Sequence, residues 1–281
     1  MIEMLLEDNF LSDKASDFAY PVKSHRRLAI TLEYDGTNYR GFQPQTGELT
    51  VQGELERALK GLTGIPTKTW GAGRTDAGAH AMGQVVAFDT EAKHSLGTFT
   101  KALNAVLPAD IRVQKAWDMD AGFNPRFHAV SRVYRYLILN QVNSSPLHDR
   151  FVYHHRGYLN VPLMNEAVEE LIGTHDFRQF CMRRSLGNRN TIRTMTAASV
   201  TMNGRLIQIE LEADGFLPHQ VRSICGTLIR VGKGILSIGE FATLLQSDQQ
   251  VNAGPVLPAK GLYLIRVNFG PNWNCVKFPT P

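Results

Sequence analysis

The order in which hydrophobic periodicities follow one another constrains the fold of this 281-residue chain more than any other feature. Apolar residues alternate from Leu28 to Tyr34 and stop at Asp35-Gly36, which is typical of a strand followed by a turn. Helical spacing from Val51 to Leu62 predicts a helix, with Thr50 as its N-cap. Further along, Trp70 to Gly73 leads into a compact loop at 74–80, and the pattern then predicts a strand centred on 85–88, a helix over 99–106 and a strand over 111–117.

The first half is therefore ordered strand, helix, strand, strand, helix, strand, as in ferredoxin-like or RNA-recognition-motif-like units. The second half repeats this plan in a varied form. Its predicted elements are a strand over 131–140, a helix over 163–172, strands over 193–202 and 206–213 joined at Asn203-Gly204, a helix from about Pro218 to near Gly232, a short helix over 240–245 and a strand over 262–269.

We therefore expect an α+β protein built from two such lobes, which form a mixed, mostly antiparallel sheet flanked by helices. The predicted N-terminal lobe covers residues 26–128, and the predicted C-terminal lobe covers residues 129–281. A cleft between the lobes is the expected place for a ligand. Residues 1–25 lack strong periodicity and predict a poorly ordered extension.

Composition excludes several classes of protein. Hydrophobic residues make up 43% of the chain and charged residues 20%, the usual mix of a globular protein. No run approaches the roughly 18 apolar residues of a transmembrane helix, so no membrane association is expected. Three widely spaced cysteines argue against a disulfide framework, and the first eight residues carry acids where a secretory signal carries bases. These features predict a cytoplasmic protein.

The formal net charge is only +4, but arginine is concentrated in the second half. Residues 177–209 hold no acid, and residues 121–160 hold one, Asp149. The arginines in these two segments are Arg126, Arg132, Arg135, Arg150, Arg156, Arg178, Arg183, Arg184, Arg189, Arg193 and Arg205. Such a set favours a polyanionic partner, although a solvated basic surface would have the same composition.

The densest candidate site is the loop Gly71-Ala-Gly-Arg-Thr-Asp-Ala-Gly-Ala-His80. Its glycines permit unusual backbone angles and a close approach of substrate. Asp76 within it has the chemistry of a nucleophile, a general base or a metal ligand, or else caps its own loop as an Asx-turn. The histidines do not predict a metal site, because His154 and His155 are adjacent and no His-x-x-x-His or Cys-x-x-Cys pattern occurs.

Seven ordered blocks resemble the bacterial tRNA pseudouridine synthase A family, from about residue 27 to about residue 270. The central block, Gly73 to His80, is similar to the catalytic loop of that family. The other blocks are Leu32–Gly36 with Tyr39 and Gly41–Gln43, Leu103–Ile111, Arg132–Tyr136, His175–Phe177, Gly215–Arg222 and Gly261–Tyr263. Ala79 and Gln220 stand where members commonly have Val and Met, and neither change removes a reactive group.

The resemblance implies an isomerase that converts uridine to pseudouridine at positions 38, 39 and 40 of the tRNA anticodon stem-loop. It implies no cofactor, no metal and a homodimer with tRNA as partner, and it makes the central cleft between the lobes an RNA-binding cleft. By the same resemblance Asp76 is the nucleophile, Arg222 is its ion-pair partner, Tyr134 stacks on the base or assists proton transfer, and Arg74 helps to flip the base. The remaining predicted substrate-binding residues are Leu262, Tyr263, Arg126 and Arg132.

Two alternatives remain open at the level of sequence. One is a non-catalytic RNA-binding or chaperone module of the same fold, and the other is a pseudouridine synthase with other RNA targets. The sequence also leaves open whether Asp76 attacks C1′ of the ribose or C6 of the uracil.

Overall fold

A computed structural model describes residues 25–181, 190–246 and 253–273 of the chain. The strands are β1 (Arg26–Tyr34), β2 (Thr69–Gly71), β3 (His80–Thr90), β4 (Ile111–Met119), β5 (Ala129–Asn140), β6 (Tyr153–His155), β7 (Gly173–Asp176), β8 (Ile192–Asn203), β9 (Leu206–Ala213) and β10 (Leu262–Phe269). The α-helices of the described residues are α1 (Val51–Thr63), α2 (Leu96–Val106), α3 (Val161–Glu169), α4 (Gln220–Gly232) and α5 (Ile238–Thr243). None of them combines the length and hydropathy that a membrane-spanning helix needs.

The ten strands of the described ranges belong to one mixed sheet with the main order β4-β1-β3-β10-β5-β9-β8-β7. Neighbouring strands are antiparallel except for β3 with β10 and β5 with β6. The helices pack on this sheet, α2 against β4 and α3 against β8, while α3 also contacts α4 and α5. The predicted α+β class and mostly antiparallel sheet are confirmed.

The two halves of the chain meet along one edge of β3. The second half of β3 pairs with β2, from Thr69↔Phe88 to Gly71↔Val86. The start of β3 pairs instead with β10, at Tyr263↔His80 and Leu264↔Ala81. The strands of residues 26–128 and those of 129–269 thus form adjacent groups within one sheet. The division into two separate lobes stays a prediction.

Local sequence signals predicted the bounds of most helices and strands to within a few residues. Thr50 accepts a hydrogen bond from the Gly53 backbone amide as the N-cap of α1, and Gly64 closes that helix at φ 74°. Strand β1 is buried on both faces, since Ala29 and Thr31 are as buried as Leu28 and Ile30. Strands β6 and β7 were not predicted, because segments of three and four residues are too short to show a period.

Two predicted boundaries are wrong, and turn chemistry explains both. Asn203 pairs with Leu206, so the two-residue hairpin loop is Gly204-Arg205, one residue later than predicted. Gly204 has φ 59°, and a first loop residue with positive φ is what a type II′ turn needs. Helix α4 begins at Gln220 rather than Pro218, because His219 between them has φ 64° and cannot be helical.

Candidate active site

The loop 72–79 leaves the sheet at the point where β3 changes partners from β2 to β10. After the last β2–β3 pair, the Ala72 amide donates to the Val85 carbonyl. Beyond this point the buried side chain of Gln84, instead of a backbone group, makes the hydrogen bonds to the loop. Its amide nitrogen donates to the Gly73 carbonyl at 2.7 Å, and its oxygen accepts from the Gly73 amide at 3.2 Å. Gln84 thereby fixes the start of the loop, a role that no local sequence signal indicated.

The segment after β1 supports the loop from behind. The Phe42 amide donates to the Thr75 carbonyl at 3.2 Å, and the Thr75 hydroxyl lies 2.8 Å from the Tyr34 hydroxyl. A Cβ atom added to Gly36 would lie 1.8 Å from the Ala79 carbonyl oxygen. This close approach explains why glycine follows the aspartate at the end of β1.

Asp76 projects from this loop toward the first turn of α4. One carboxylate oxygen, Oδ2, accepts a hydrogen bond from Nη1 of Arg222 at 2.7 Å and lies 3.1 Å from Nδ1 of His219. Nε of Arg222 donates to the Leu257 carbonyl at 2.5 Å, which anchors the guanidinium. The predicted Asp76–Arg222 ion pair is therefore present. His219 is a second contact that the sequence prediction missed.

The electrostatics of this cluster keep Asp76 ionised. Burial raises the pKa of a carboxyl group, because a low dielectric disfavours the charged form. At Asp76 the hydrogen bonds and charges of His219 and Arg222 outweigh burial, and the net pKa lies below the ordinary value. A partly buried but anionic carboxylate is what a nucleophile at neutral pH requires.

Tyr134 lies on β5 next to the loop. Its hydroxyl donates to the Arg74 carbonyl at 3.3 Å, and its ring packs edge-on against Phe216 at 5.0 Å between centroids. Burial, reinforced by the negative charge of Asp76, raises the pKa of Tyr134 above its ordinary value. The side chain is therefore a neutral phenol at physiological pH, suited to packing and hydrogen-bond donation.

This arrangement accompanies a match over most of the chain to a known protein family. Residues 30–128 and 167–270 fit the family model described as tRNA pseudouridine synthase. The chain belongs to this family. As a member of the tRNA pseudouridine synthase family it is an isomerase that converts uridine in tRNA to pseudouridine. The predicted family and reaction are confirmed.

Curated relatives extend the match over nearly all of the described residues. A "tRNA pseudouridine synthase A" of Geobacter sulfurreducens is 42% identical over 87% of this chain and 100% of its own length. Proteins of the same name from Acetivibrio thermocellus and Aeromonas hydrophila are each 40% identical, over 87% and 86% of this chain and 100% and 90% of their own lengths. A chain of the archaeal box H/ACA sRNP Nop10–Cbf5 complex superposes with a TM-score of 0.31 at 12% identity, covering 72% of this chain and 44% of that chain, a likeness too low to bear on function.

In this tRNA pseudouridine synthase the predicted substrate-binding arginines have different surroundings. Arg74 is exposed on the loop, two residues before Asp76. Arg132 is partly buried, and its guanidinium donates to four backbone carbonyls, those of Ala72, Arg126, Ala129 and Asp214. These bonds connect the start of the loop at Ala72 with the start of β5 and the end of β9. Arg132 thus fixes the start of the loop against these neighbouring segments.

The predicted pocket residues Leu262 and Tyr263 point to opposite faces of the sheet, since they are neighbours on β10. The Tyr263 ring stacks on His80 at 4.8 Å, and its hydroxyl donates to the Phe151 carbonyl at 2.7 Å. On the other face, Leu264 pairs with Tyr134, and its Cδ2 atom would contact a Cβ added to Gly73 at 3.5 Å. Leu264 therefore borders the loop, although the sequence prediction named only its two predecessors.

His80 joins the two halves behind the loop. Its Nδ1 accepts from the Gly36 amide at 3.1 Å, and its Nε2 donates to the Lys260 carbonyl at 3.2 Å. Burial lowers the pKa of His80, while the charge of Asp35 opposes this shift less strongly. A neutral ring with this tautomer fixes the start of β3 against β10. The sequence motif contained this histidine but did not indicate its structural role between β3 and β10.

Part of the predicted arginine-rich surface is neutralised within the protein. Arg135 pairs with Glu210 at 2.7 Å, Arg150 with Asp35 at 2.8 Å, and Arg178 with Asp176 at 2.6 Å. Arg183, Arg184 and Arg189 lie outside the described residues, as does nearly all of the predicted extension 1–25. The guanidinium of Arg126 is exposed and lies 5.8 Å from the centre of the Phe127 ring, which is itself 76% exposed.

No group of three or more His, Cys, Asp or Glu side chains in the described ranges is arranged to hold a metal ion.

Proposed function

We propose that the protein isomerises uridines 38, 39 and 40 of the tRNA anticodon stem-loop and that Asp76 is the nucleophile. The observation that carries this proposal is the Asp76 carboxylate, held by Arg222 and His219 in a loop supported from both halves of the sheet. The three positions follow from the resemblance of the seven ordered sequence blocks. A non-catalytic module would have no need for an anionic carboxylate in a site that binds an RNA polyanion.

The chemistry requires one nucleophile and no redox step. The C1′–N1 glycosidic bond breaks, the uracil turns, and a C5–C1′ bond forms. The proton on C5 is lost, and N1 gains one, so that the product is an isomer of the substrate. Asp76 forms the covalent bond to the target nucleotide, at C1′ or at C6, and is released when the product forms.

Access to the target nucleotide requires its removal from the base stack, because a stacked base cannot reach a loop carboxylate. Arg74 supports this step by its position, exposed on the same loop as Asp76. Its long side chain can occupy the space that the flipped nucleotide leaves. The buried Tyr134 ring, which contacts the loop carbonyl of Arg74, would then support the flipped base.

The proposed RNA surface includes Arg126 with its exposed aromatic neighbour, and phosphate contacts from the arginine-rich second half. By the same resemblance, we propose a cytoplasmic homodimer in which one tRNA contacts both subunits. The affinity for tRNA should therefore fall by about 10³-fold or more between 50 and 200 mM salt. A salt-independent affinity would contradict the phosphate contacts, and a monomeric protein–tRNA complex in sedimentation analysis would contradict the dimer.

The decisive experiment measures tritium release from tRNA that carries 5-tritiated uridine. Asp76→Asn keeps the shape of the side chain and removes its negative charge, so release should fall by roughly 10⁴-fold or more, the scale for loss of a covalent nucleophile. Asp118→Asn is the matched control, because Asp118 lies on an exposed part of β4 and pairs with Arg26. Normal release by Asp76→Asn would refute the nucleophile assignment.

The target positions are tested with tRNAs in which uridine 38, 39 or 40 is replaced singly by cytidine. Each replacement should remove the corresponding share of the released tritium. If release persists from a tRNA that lacks uridine at all three positions, the target assignment is wrong, whereas the family reaction is unaffected.

A further inference from the structure

The residue before α4 has an unusual backbone conformation. His219 has φ 64° and ψ 1° and is the only non-glycine residue with positive φ in the described part of the chain. The Gln220 amide donates to the Leu217 carbonyl at 3.1 Å, which closes a four-residue turn with Pro218 at its second position. This is the pattern of a type II turn, whose third position favours glycine or asparagine. A histidine therefore occupies a position at which L side chains are strained.

The turn is held from two sides. Besides the backbone bond, the side-chain oxygen of Gln220 accepts from the Leu217 amide at 2.7 Å, and Gln220 is fully buried. The conformation of His219 is thus imposed by its surroundings. Backbone strain that the structure imposes in this way is concentrated at functional sites.

Helix capping does not explain the histidine. His219 is the N-cap residue of α4, yet its side chain makes no capping hydrogen bond. Its Nδ1 lies instead 3.1 Å from Oδ2 of Asp76, and Arg222, three residues later, reaches the same oxygen. The two residues that contact Asp76 therefore come from the first turn of one helix.

We propose that His219 is a positioning residue for Asp76, and that this task is why a non-glycine residue occupies the left-handed position of the turn. The proposal rests on the proposed role of Asp76 as the nucleophile. Nδ1 carries a hydrogen atom and donates a hydrogen bond to Oδ2, since an oxygen of an ionised carboxylate can only accept one. With two donors on Oδ2, the rotation of the carboxylate is fixed. Within the described residues no hydrogen bond is made to Oδ1, which is left for attack on the nucleotide.

Nδ1 of His219 also lies 3.1 Å from Nη1 of Arg222. If Nδ1 were unprotonated, it would accept from the guanidinium, and Arg222 alone would hold Asp76. The proposal commits to the first arrangement. The two arrangements differ in what they predict for substitutions that retain or reverse the donor at this atom.

Three variants at this position separate the side-chain task from the fold. His219→Gly suits the left-handed conformation and removes the donor. We expect its melting temperature to be unchanged or higher by about 2–4 °C. Its kcat for tritium release should fall by about 10- to 100-fold, with KM for tRNA within about twofold, because the lost bond is to the charged carboxylate and not to the RNA.

His219→Asn tolerates positive φ and places an amide nitrogen on Cγ, where histidine carries Nδ1. It should recover most of the lost kcat. His219→Asp has the same shape but offers only acceptors to Asp76, so its kcat should lie below that of His219→Gly.

A wild-type kcat in His219→Gly would overturn the proposal. So would an Asn variant no faster than the Gly variant, or a Gly variant whose loss lies in stability and KM. Full activity of Asp76→Asn would instead refute the nucleophile assignment, so the two failures are distinguishable.

Discussion

Replacement of Arg222 by methionine should change how the reaction depends on pH. Methionine keeps an unbranched side chain on the buried side of α4 but removes both the charge and the donor that reach Asp76 at 2.7 Å. The side chains of Asp76 and Arg222 are only 26% and 15% exposed, so solvent screens the pair weakly. An adjacent arginine lowers the pKa of an aspartate by about 1 to 3 pH units.

The direction of the change in the pKa of Asp76 follows from the interactions that remain without Arg222. Without Arg222, burial still raises the pKa of Asp76, and only His219 opposes it. We expect the acid limb of the rate profile to move toward neutral pH by about 1 to 3 pH units. This corresponds to roughly 1.5–4 kcal/mol of differential stabilisation of the carboxylate. Near pH 8 the carboxylate stays ionised, so the rate loss there reflects misplacement alone.

Stability should change in parallel. The folded pKa of Asp76 lies below its unfolded value, so the ion pair stabilises the fold above about pH 4, and this contribution is lost as the pH falls through the folded pKa. The variant lacks this contribution. Its deficit in melting temperature relative to wild type should therefore be largest at neutral pH and should narrow on acidification.

The assay is single-turnover tritium release between pH 4.5 and 8.5, with thermal unfolding over the same range. Arg230→Met is the matched control, since Arg230 lies on the same helix about 12 Å further along its axis and donates to the Ala253 carbonyl. Coincident acid limbs for wild type and Arg222→Met would refute the reasoning that Arg222 sets the ionisation of Asp76.

Three further substitutions test the supports of the loop. Gly36→Ala should lower the free energy of unfolding by about 1–3 kcal/mol and reduce tritium release, because its Cβ would lie 1.8 Å from the Ala79 carbonyl oxygen; an unchanged melting temperature would contradict this packing. Tyr134→Phe should lose less than about tenfold in rate, since a neutral phenol loses only one hydrogen bond, and a 10³-fold loss would instead assign proton transfer to the hydroxyl. Arg132→Lys should lower the melting temperature but leave the salt dependence of tRNA binding unchanged, because its guanidinium is engaged by backbone carbonyls; a salt slope smaller by about 1 would reveal a phosphate contact.

Sequence alone sufficed for most of the local structure, because its causes are local. The alternation from Leu28 to Tyr34 and the helical spacing from Val51 to Leu62 reflect which side chains a strand or helix turns inward. The errors occurred where a single backbone angle decides a boundary. Gly204 shifted the hairpin loop by one residue, and the positive φ of His219 moved the start of α4 past Pro218.

At the candidate active site, too, some features could be predicted from the sequence and others depended on the tertiary structure. The glycine-rich loop and its resemblance blocks determined that Asp76 is the candidate nucleophile. Only the tertiary structure decided what surrounds it, since His219 and Arg222 lie 143 and 146 residues further along the chain. Contacts at such separations depend on β10 pairing with both β3 and β5, which no local pattern encodes.

The positions of the arginines were likewise known from the sequence, whereas the interactions that each arginine makes were not. The sequence determined where arginines are concentrated, but not that Arg135 pairs with Glu210, or that Arg132 donates to backbone carbonyls around the loop. A side chain's charge is a property of the residue. The protonation state of Asp76, the tautomer of His80 and the partners of each guanidinium depend on burial and on neighbours that folding brings together.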